Sequence, residues 1–148
     1  MHSLCDLETR TDIGARLARL GATAAPMWGK FTSTAMLAHC VDALRIAMGE
    51  IPCKPIRVPF GHTRAVRWLA LRVLPFPKNA PTAPEMIRRA PRPFDNEREQ
   101  LVALIARFAP GQGPSRWSPH PLFGQLNEAE WGELAFKHLD HHLRQFGV

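Results

Sequence analysis

The segment Glu133–Phe146 places two histidines on the apolar side of a predicted helix. At 3.6 residues per turn, His138 and His142 lie about 40° apart, and Trp131 and Leu139 fall within about 100° on the same side. Two imidazoles that face a core need partners, because buried polar groups are normally paired. One metal ion bound by both rings meets this need, and the spacing of four residues allows it. The pattern therefore predicts a helical core that contains a pair of metal ligands.

The composition is that of an ordinary globular domain. The chain has 148 residues, 45% of them hydrophobic and 22% charged, and we predict a single domain over residues 1–148. No run of about 18 apolar residues is present, so no membrane span is expected. Asp6 comes too early for a signal peptide, and three cysteines without CxxC spacing favour a reducing compartment. We therefore expect a cytoplasmic protein.

The net charge of +6 is concentrated in the middle of the chain. Between Lys54 and Arg98 there are ten Lys or Arg residues and three Asp or Glu residues. Such a strip is typical of solvated surface, and it also suits anionic small molecules. The basic run around Trp68 lacks the context of a recognition helix, so nucleic acid is not the expected partner.

Apolar periodicity and capping residues predict five helices. In the first helix, Leu7, Ile13 and Leu17 are expected to face the core. Nine of the 14 prolines lie between Ile51 and Pro93, which predicts an irregular insertion wrapped on the bundle around one short helix. No strand is predicted, so the expected fold class is an all-α four-helix bundle with an extra short helix. The predicted helices cover residues 6–20, 32–48, 63–74, 95–108 and 127–146.

A third histidine, His39, lies on an apolar side of the second predicted helix, with Met36 and Ala43 beside it. If the second and last helices are neighbours in the bundle, His39, His138 and His142 can meet at one point. Three neutral imidazoles around a metal leave room for water or a substrate, which is the arrangement of a catalytic site.

Two parts of the chain resemble a known family. Trp28 with Thr32–His39, and the HxxHHxxQ pattern of His138–Gln145, are similar to the DinB-like superfamily of damage-inducible, bacillithiol-transferase-like four-helix bundles. The run His120–Gly124, together with Trp131 and the last helix, resembles a branch of this superfamily that has no assigned activity. The resemblance covers about residues 27–50 and 119–148 and is weak over 51–93.

The resemblance implies a metal site and an activity. The metal-binding histidines of the family correspond to His39, His138 and His142, which would hold a divalent zinc, nickel or iron ion. It implies a thiol S-transferase that acts on a small-molecule thiol and an electrophile, and homodimers are common among such proteins. A non-catalytic metal-binding or stress-related bundle and a metal-dependent hydrolase are the alternatives.

Four further residues are candidates for the surroundings of the metal or the mouth of the site. Asp42 either accepts a hydrogen bond from the His39 ring or is an exposed helix charge. Gln145 either lines the site or bonds nearby backbone, and His141 borders the polar side of its helix. His120 lies in a Pro-His-Pro turn, where it either reaches the site or only shapes the turn. A hydrolase would need Asp42 or His141 as its general base.

Overall fold

The structure is a computed structural model that describes residues 2–56, 63–78, 84–86 and 89–148. These residues contain no strand, which confirms the predicted all-α bundle. None of their helices is long and apolar enough to cross a membrane. The helices are α1 (Leu7–Arg19), α2 (Ser33–Ala47), α3 (Arg64–Arg72), α4 (Phe94–Ala106) and α5 (Glu128–Gln145), with a 3₁₀ turn at Pro84–Met86.

The four longer helices enclose one core. Helix α2 packs on α4 and α5, and α1 packs on the same two helices, while α3 lies against α5. Apolar side chains on the inner face of each helix fill the space between them and supply most of the stability, since burial of apolar area drives such packing. Fully buried examples from the four helices and the loop after α4 are Ile13, Leu37, Leu101, Phe108 and Leu139.

Local capping residues set where the two site-bearing helices begin. The Thr32 side chain accepts a hydrogen bond from the Ala35 N–H at 3.1 Å. Thr32 is therefore the N-cap residue, and α2 starts at Ser33. At the start of α5, the Asn127 side chain accepts from the Glu130 N–H at 2.9 Å, and the Glu130 carboxylate accepts from the Asn127 N–H at 3.0 Å. This reciprocal pair of hydrogen bonds is a capping box.

The N-terminal segment, including the first residue of α1, departs from the prediction. Leu7, expected to face the core, is 73% exposed, and Leu4 is fully buried instead. The reason is a tertiary contact, because the Leu4 N–H donates to the Gly132 carbonyl at 3.1 Å and draws this segment against α5. A side chain on residue 132 would overlap Ser3 and Cys5, so glycine allows the close approach.

Parts of the proline-rich segment are tied to the bundle by ion pairs. Arg89 donates from Nε to Asp42 on α2 at 2.9 Å and from Nη2 to Glu97 on α4 at 2.8 Å. Both carboxylates are buried, so the exposed position that the sequence allowed for Asp42 is wrong. Arginine suits this position because the N–H donors of its planar guanidinium group can bind two carboxylates at the same time.

The C-terminal end of α3 is held against α5 by hydrogen bonds. The Lys137 ammonium donates to the carbonyls of Ala70 at 2.6 Å and Leu71 at 3.2 Å, and also to that of Leu74. The carbonyls of Ala70 and Leu71 lie in the last turn of α3, where backbone acceptors lack intrahelical partners, and that of Leu74 lies just after the helix. The following residues, which include Phe76, are thereby directed towards the middle of α5.

Candidate metal centre

Three imidazole rings meet in the core between α2 and α5. Nε2 of His138 lies 2.9 Å from Nε2 of His39 and 3.1 Å from Nε2 of His142. One ligand atom from each ring lies within 4.8 Å of the other two, and all three residues are buried. The packing of α2 against α5 thus brings together the histidines that the sequence placed on two separate helices. We call these three residues the histidine cluster.

A hydrogen-bond chain assigns the tautomer of His142. Nε2 of Gln145 donates to the Trp28 carbonyl at 2.7 Å, so Oε1 of the same amide faces His142. Nδ1 of His142 lies 2.9 Å from this oxygen and must donate to it. The ring proton is therefore on Nδ1, and Nε2 carries a lone pair that faces the other two rings.

Burial keeps the three rings neutral. It lowers the pKa of His39 to about 3, helped by the neighbouring His142 and His141 and opposed by the Met86 backbone. Burial also lowers the pKa of His142 to about 4, while the hydrogen bond with Gln145 acts in the opposite direction. The pKa of His138 is lowered well below its ordinary range, first by burial and then by the adjacent imidazoles. Neutral imidazole is the form that binds metals.

The donor set fits a divalent metal ion. Two nitrogens bound to one zinc ion at about 2.1 Å are roughly 3 to 3.4 Å apart. The two Nε2–Nε2 distances from His138, 2.9 Å and 3.1 Å, are close to this spacing, and the ligand atoms of His39 and His142 lie within 4.8 Å of each other. Hydrogen bonds alone satisfy the cluster poorly. Each of the two close Nε2–Nε2 contacts needs a proton between its nitrogens, but Nε2 of His142 can only accept, and His138 takes part in both contacts with a single Nε2 that carries either a proton or a lone pair. In addition, Nδ1 of His39 is buried and makes no hydrogen bond of normal geometry with a described residue, although the Met86 backbone lies close enough to raise the pKa of the ring slightly.

Two phenylalanines cover the histidine cluster. The Phe31 ring centroid lies 5.3 Å from that of His39 and 5.9 Å from that of His142. The Phe76 centroid lies 5.4 Å from that of His138, on the side of the proline-rich segment. Both rings exclude water and lower the local dielectric constant, which strengthens any charge interaction inside.

A small cavity of about 80 Å³ adjoins His138. Its volume is that of two or three water molecules. Apart from His138 and His120 its walls are apolar, and Phe76 and Trp131 are among them. Nδ1 of His120 accepts hydrogen bonds from two backbone N–H groups at 3.1 Å, so the ring proton is on Nε2. The cavity is therefore a mostly apolar pocket beside the cluster, with His120 among its lining residues.

The other candidate residues take different positions around the cluster. Gln145 contacts both His142 and nearby backbone, so it combines the two roles that the sequence left open. His141 is half-buried beside the cluster, with its ring centroid 5.0 Å from that of Phe76. Asp42 pairs with Arg89 and not with the His39 ring.

Several residues around the histidine cluster carried no signal in the sequence. Phe31, Phe76 and Arg89 lie outside the longer helices, where periodicity gives no direction for a side chain. Lys78 lies with its ammonium 4.5 Å from the centroid of the Trp28 ring, whose edge approaches His141. The Pro-Phe-Pro run around Phe76 marks a rigid extended segment but does not reveal what the ring contacts.

The comparisons with known proteins give one match. A family model described as a protein of unknown function, DUF1569, matches residues 4–147, and this range includes the whole histidine cluster. No curated protein matches the chain, and no solved structure matches it.

Proposed function

The chain belongs to the DUF1569 family, and from its histidine cluster we propose that it binds one divalent metal ion through His39, His138 and His142. The observation that carries the proposal is the convergence of three neutral Nε2 donors, one of them with its tautomer assigned by Gln145. Zinc, nickel and iron are the candidate metals, since imidazole nitrogen suits all three.

We further propose that this metal site supports an S-transfer reaction, on the basis of the resemblance to DinB-like bundles. When bound, the metal would supply Lewis acidity and favour the thiolate form of a small-molecule thiol at neutral pH. In the reaction, the thiol sulfur forms a bond to an electrophilic carbon, and the leaving group departs with the electron pair of the broken bond. The thiol proton passes to solvent.

The residues around the cluster have separate roles in this proposal. The three neutral imidazoles add no negative charge, so a divalent ion in the buried site favours an anionic partner. Gln145 holds the His142 ring in the binding orientation, and Phe31 and Phe76 exclude water. Lys78, exposed at the mouth, attracts a carboxylate group of the thiol.

A metal-dependent hydrolase and a non-catalytic metal-binding bundle are the two alternatives to this activity. Hydrolysis needs a general base. Asp42 is unavailable because Arg89 already holds its carboxylate, so of the two candidate bases only His141, beside the cluster, remains for this role. A non-catalytic metal site is favoured by the burial of all three rings and by the phenylalanines that cover them. An open coordination position with an exchangeable ligand would indicate catalysis, whereas a closed site with four protein ligands would indicate a structural role.

Elemental analysis of the purified chain tests the metal site. We expect about one zinc, nickel or iron ion per chain in the wild type and in His141→Ala, whose ring adjoins the cluster without belonging to it. His142→Ala and the polar variant His142→Gln should retain little metal, with circular dichroism to show that they are folded. Negligible metal in the reconstituted wild type would reject the proposal.

An S-transfer assay tests the activity separately. The metal-loaded wild type is mixed with a set of common low-molecular-weight thiols and a bromoalkyl electrophile, and thioether formation is followed by mass spectrometry. We expect turnover that His142→Gln lacks and His141→Ala retains in part. Stoichiometric metal without transfer of any thiol would leave the non-catalytic bundle as the function.

A further inference from the structure

A second, larger cavity lies away from the histidine cluster. It is an open cleft of about 500 Å³ between the start of α3, the loop at residues 115–117 and the start of α5. None of the three cluster histidines lines it, and its size is typical of a small-molecule site. Three guanidinium groups line the cleft, and they come from Arg64, Arg67 and Arg116.

The charge in the cleft is unbalanced. Glu130 is the acidic residue of the lining, and its carboxylate is already engaged with Arg67 at 3.7 Å and with the Asn127 N–H at 3.0 Å. Arg64 and Arg116 are exposed, and no acidic residue in the described part of the chain pairs with either of them. The cleft therefore has about two positive charges without a protein partner.

Gln125 ties the walls of the cleft together. Its carbonyl accepts a hydrogen bond from Nη1 of Arg67 at 2.6 Å, and its side-chain amide donates to the Trp117 carbonyl at 3.1 Å. The Trp117 ring is anchored in turn, with its centroid 5.0 Å from that of Phe108 in the core. The positions of α3 and the 115–117 loop are thus linked before any ligand arrives, which lowers the entropic cost of binding.

We propose that this cleft binds a small anion that carries phosphate or carboxylate groups, held by the guanidinium groups of Arg64 and Arg116. A guanidinium group donates two parallel hydrogen bonds to either kind of oxyanion, so both share the same recognition chemistry. Arg67, fixed by Gln125 and Glu130, adds positive potential from the wall. This site does not depend on the metal or on the proposed S-transfer.

Calorimetric titration of the full chain with inorganic pyrophosphate, and separately with citrate, tests the proposal. We expect saturable binding of at least one anion, weakened about tenfold by Arg64→Gln or Arg116→Gln and lost in the double variant. Arg19→Gln is the matched control, since Arg19 is an exposed arginine that does not line the cleft. Stronger binding of pyrophosphate assigns a phosphate ligand, and stronger binding of citrate assigns a carboxylate.

Three outcomes would overturn the proposal. The first is the absence of binding of both anions at millimolar concentration, and the second is an equal loss of affinity in Arg19→Gln and Arg64→Gln. The third is binding of duplex DNA that depends on Arg64 and Arg116 and that pyrophosphate does not displace, which would make the cleft a nucleic-acid surface. The substituted residues are exposed, and circular dichroism of each variant verifies its fold.

Discussion

Oε1 of Gln145 lies 2.9 Å from Nδ1 of His142, one helical turn earlier on α5. The same amide donates to the Trp28 carbonyl at 2.7 Å, so a backbone group in the loop before α2 decides which way the amide points. Through this chain, the loop decides which nitrogen of His142 carries the proton. A metal ligand is thus oriented by a residue that is not itself in the cluster.

Replacement of Gln145 is expected to weaken metal binding. In Gln145→Leu, Nδ1 of His142 loses its acceptor and the ring is free to turn, so the affinity should fall about 10- to 100-fold. Competition with a chromogenic chelator measures the change. Gln112→Leu, at an exposed glutamine, is the control and should bind like the wild type. Unchanged affinity in Gln145→Leu would show that the amide does not orient the ligand.

Removal of Arg89 should destabilise the bundle. Arg89→Met leaves the buried carboxylates of Asp42 and Glu97 without their shared partner, and we expect the free energy of unfolding to fall by about 3 kcal/mol. Urea denaturation at neutral pH measures the loss. Arg98→Met breaks an exposed ion pair with Asp95 and should cost about 0.5 kcal/mol or less. Equal losses in the two variants would contradict the role assigned to Arg89.

The stability of the metal-free protein should fall on acidification, in part through His120. Burial lowers the pKa of its ring to about 4, so the folded chain keeps it neutral while the unfolded chain takes up a proton below its ordinary pKa of 6.5. The unfolding free energy therefore decreases as the pH falls from about 6.5 towards 4. Between about pH 7.5 and pH 5 this ring should contribute on the order of 2 kcal/mol to the loss.

The variant His120→Ala tests this contribution. Its unfolding free energy, from urea titrations at both pH values, should change less with pH than that of the wild type. Some dependence should remain, because the cluster histidines also have lowered pKa values in the metal-free protein. An identical pH dependence in wild type and His120→Ala would refute the assignment.

Two glycines within helices should respond to alanine in opposite directions. A Cβ on Gly14 in α1 would meet nothing within 4 Å, so Gly14→Ala should stabilise the protein by about 0.5 to 1 kcal/mol through helix propensity. A Cβ on Gly132 in α5 would lie 2.7 Å from Sγ of Cys5, so Gly132→Ala should cost about 1 kcal/mol or more. Thermal unfolding compares the two variants, and stabilisation by both would show that the N-terminal segment yields easily.

The predicted helices agree with the structure because the sequence features that define them act over only a few residues. Thr32 and Asn127 cap α2 and α5 through backbone groups within three residues, and such contacts form in any fold that contains the helix. The inward direction of His39, His138 and His142 follows from the same periodicity. The misplacement of Leu7 has the opposite origin, since the contact of Leu4 with Gly132 joins residues far apart in the chain.

The sequence by itself determined the all-α class, the starts of the principal helices and the apolar side on which each histidine of the cluster lies, because periodicity and capping act within a few residues. Only the tertiary structure decided that the three imidazole rings meet, that Gln145 orients the His142 ring and that Arg89 pairs with the Asp42 carboxylate. It also decided that Arg64 and Arg116 share a cleft. These relationships depend on how whole helices pack, and packing energy is spread over many contacts that no short stretch of sequence contains.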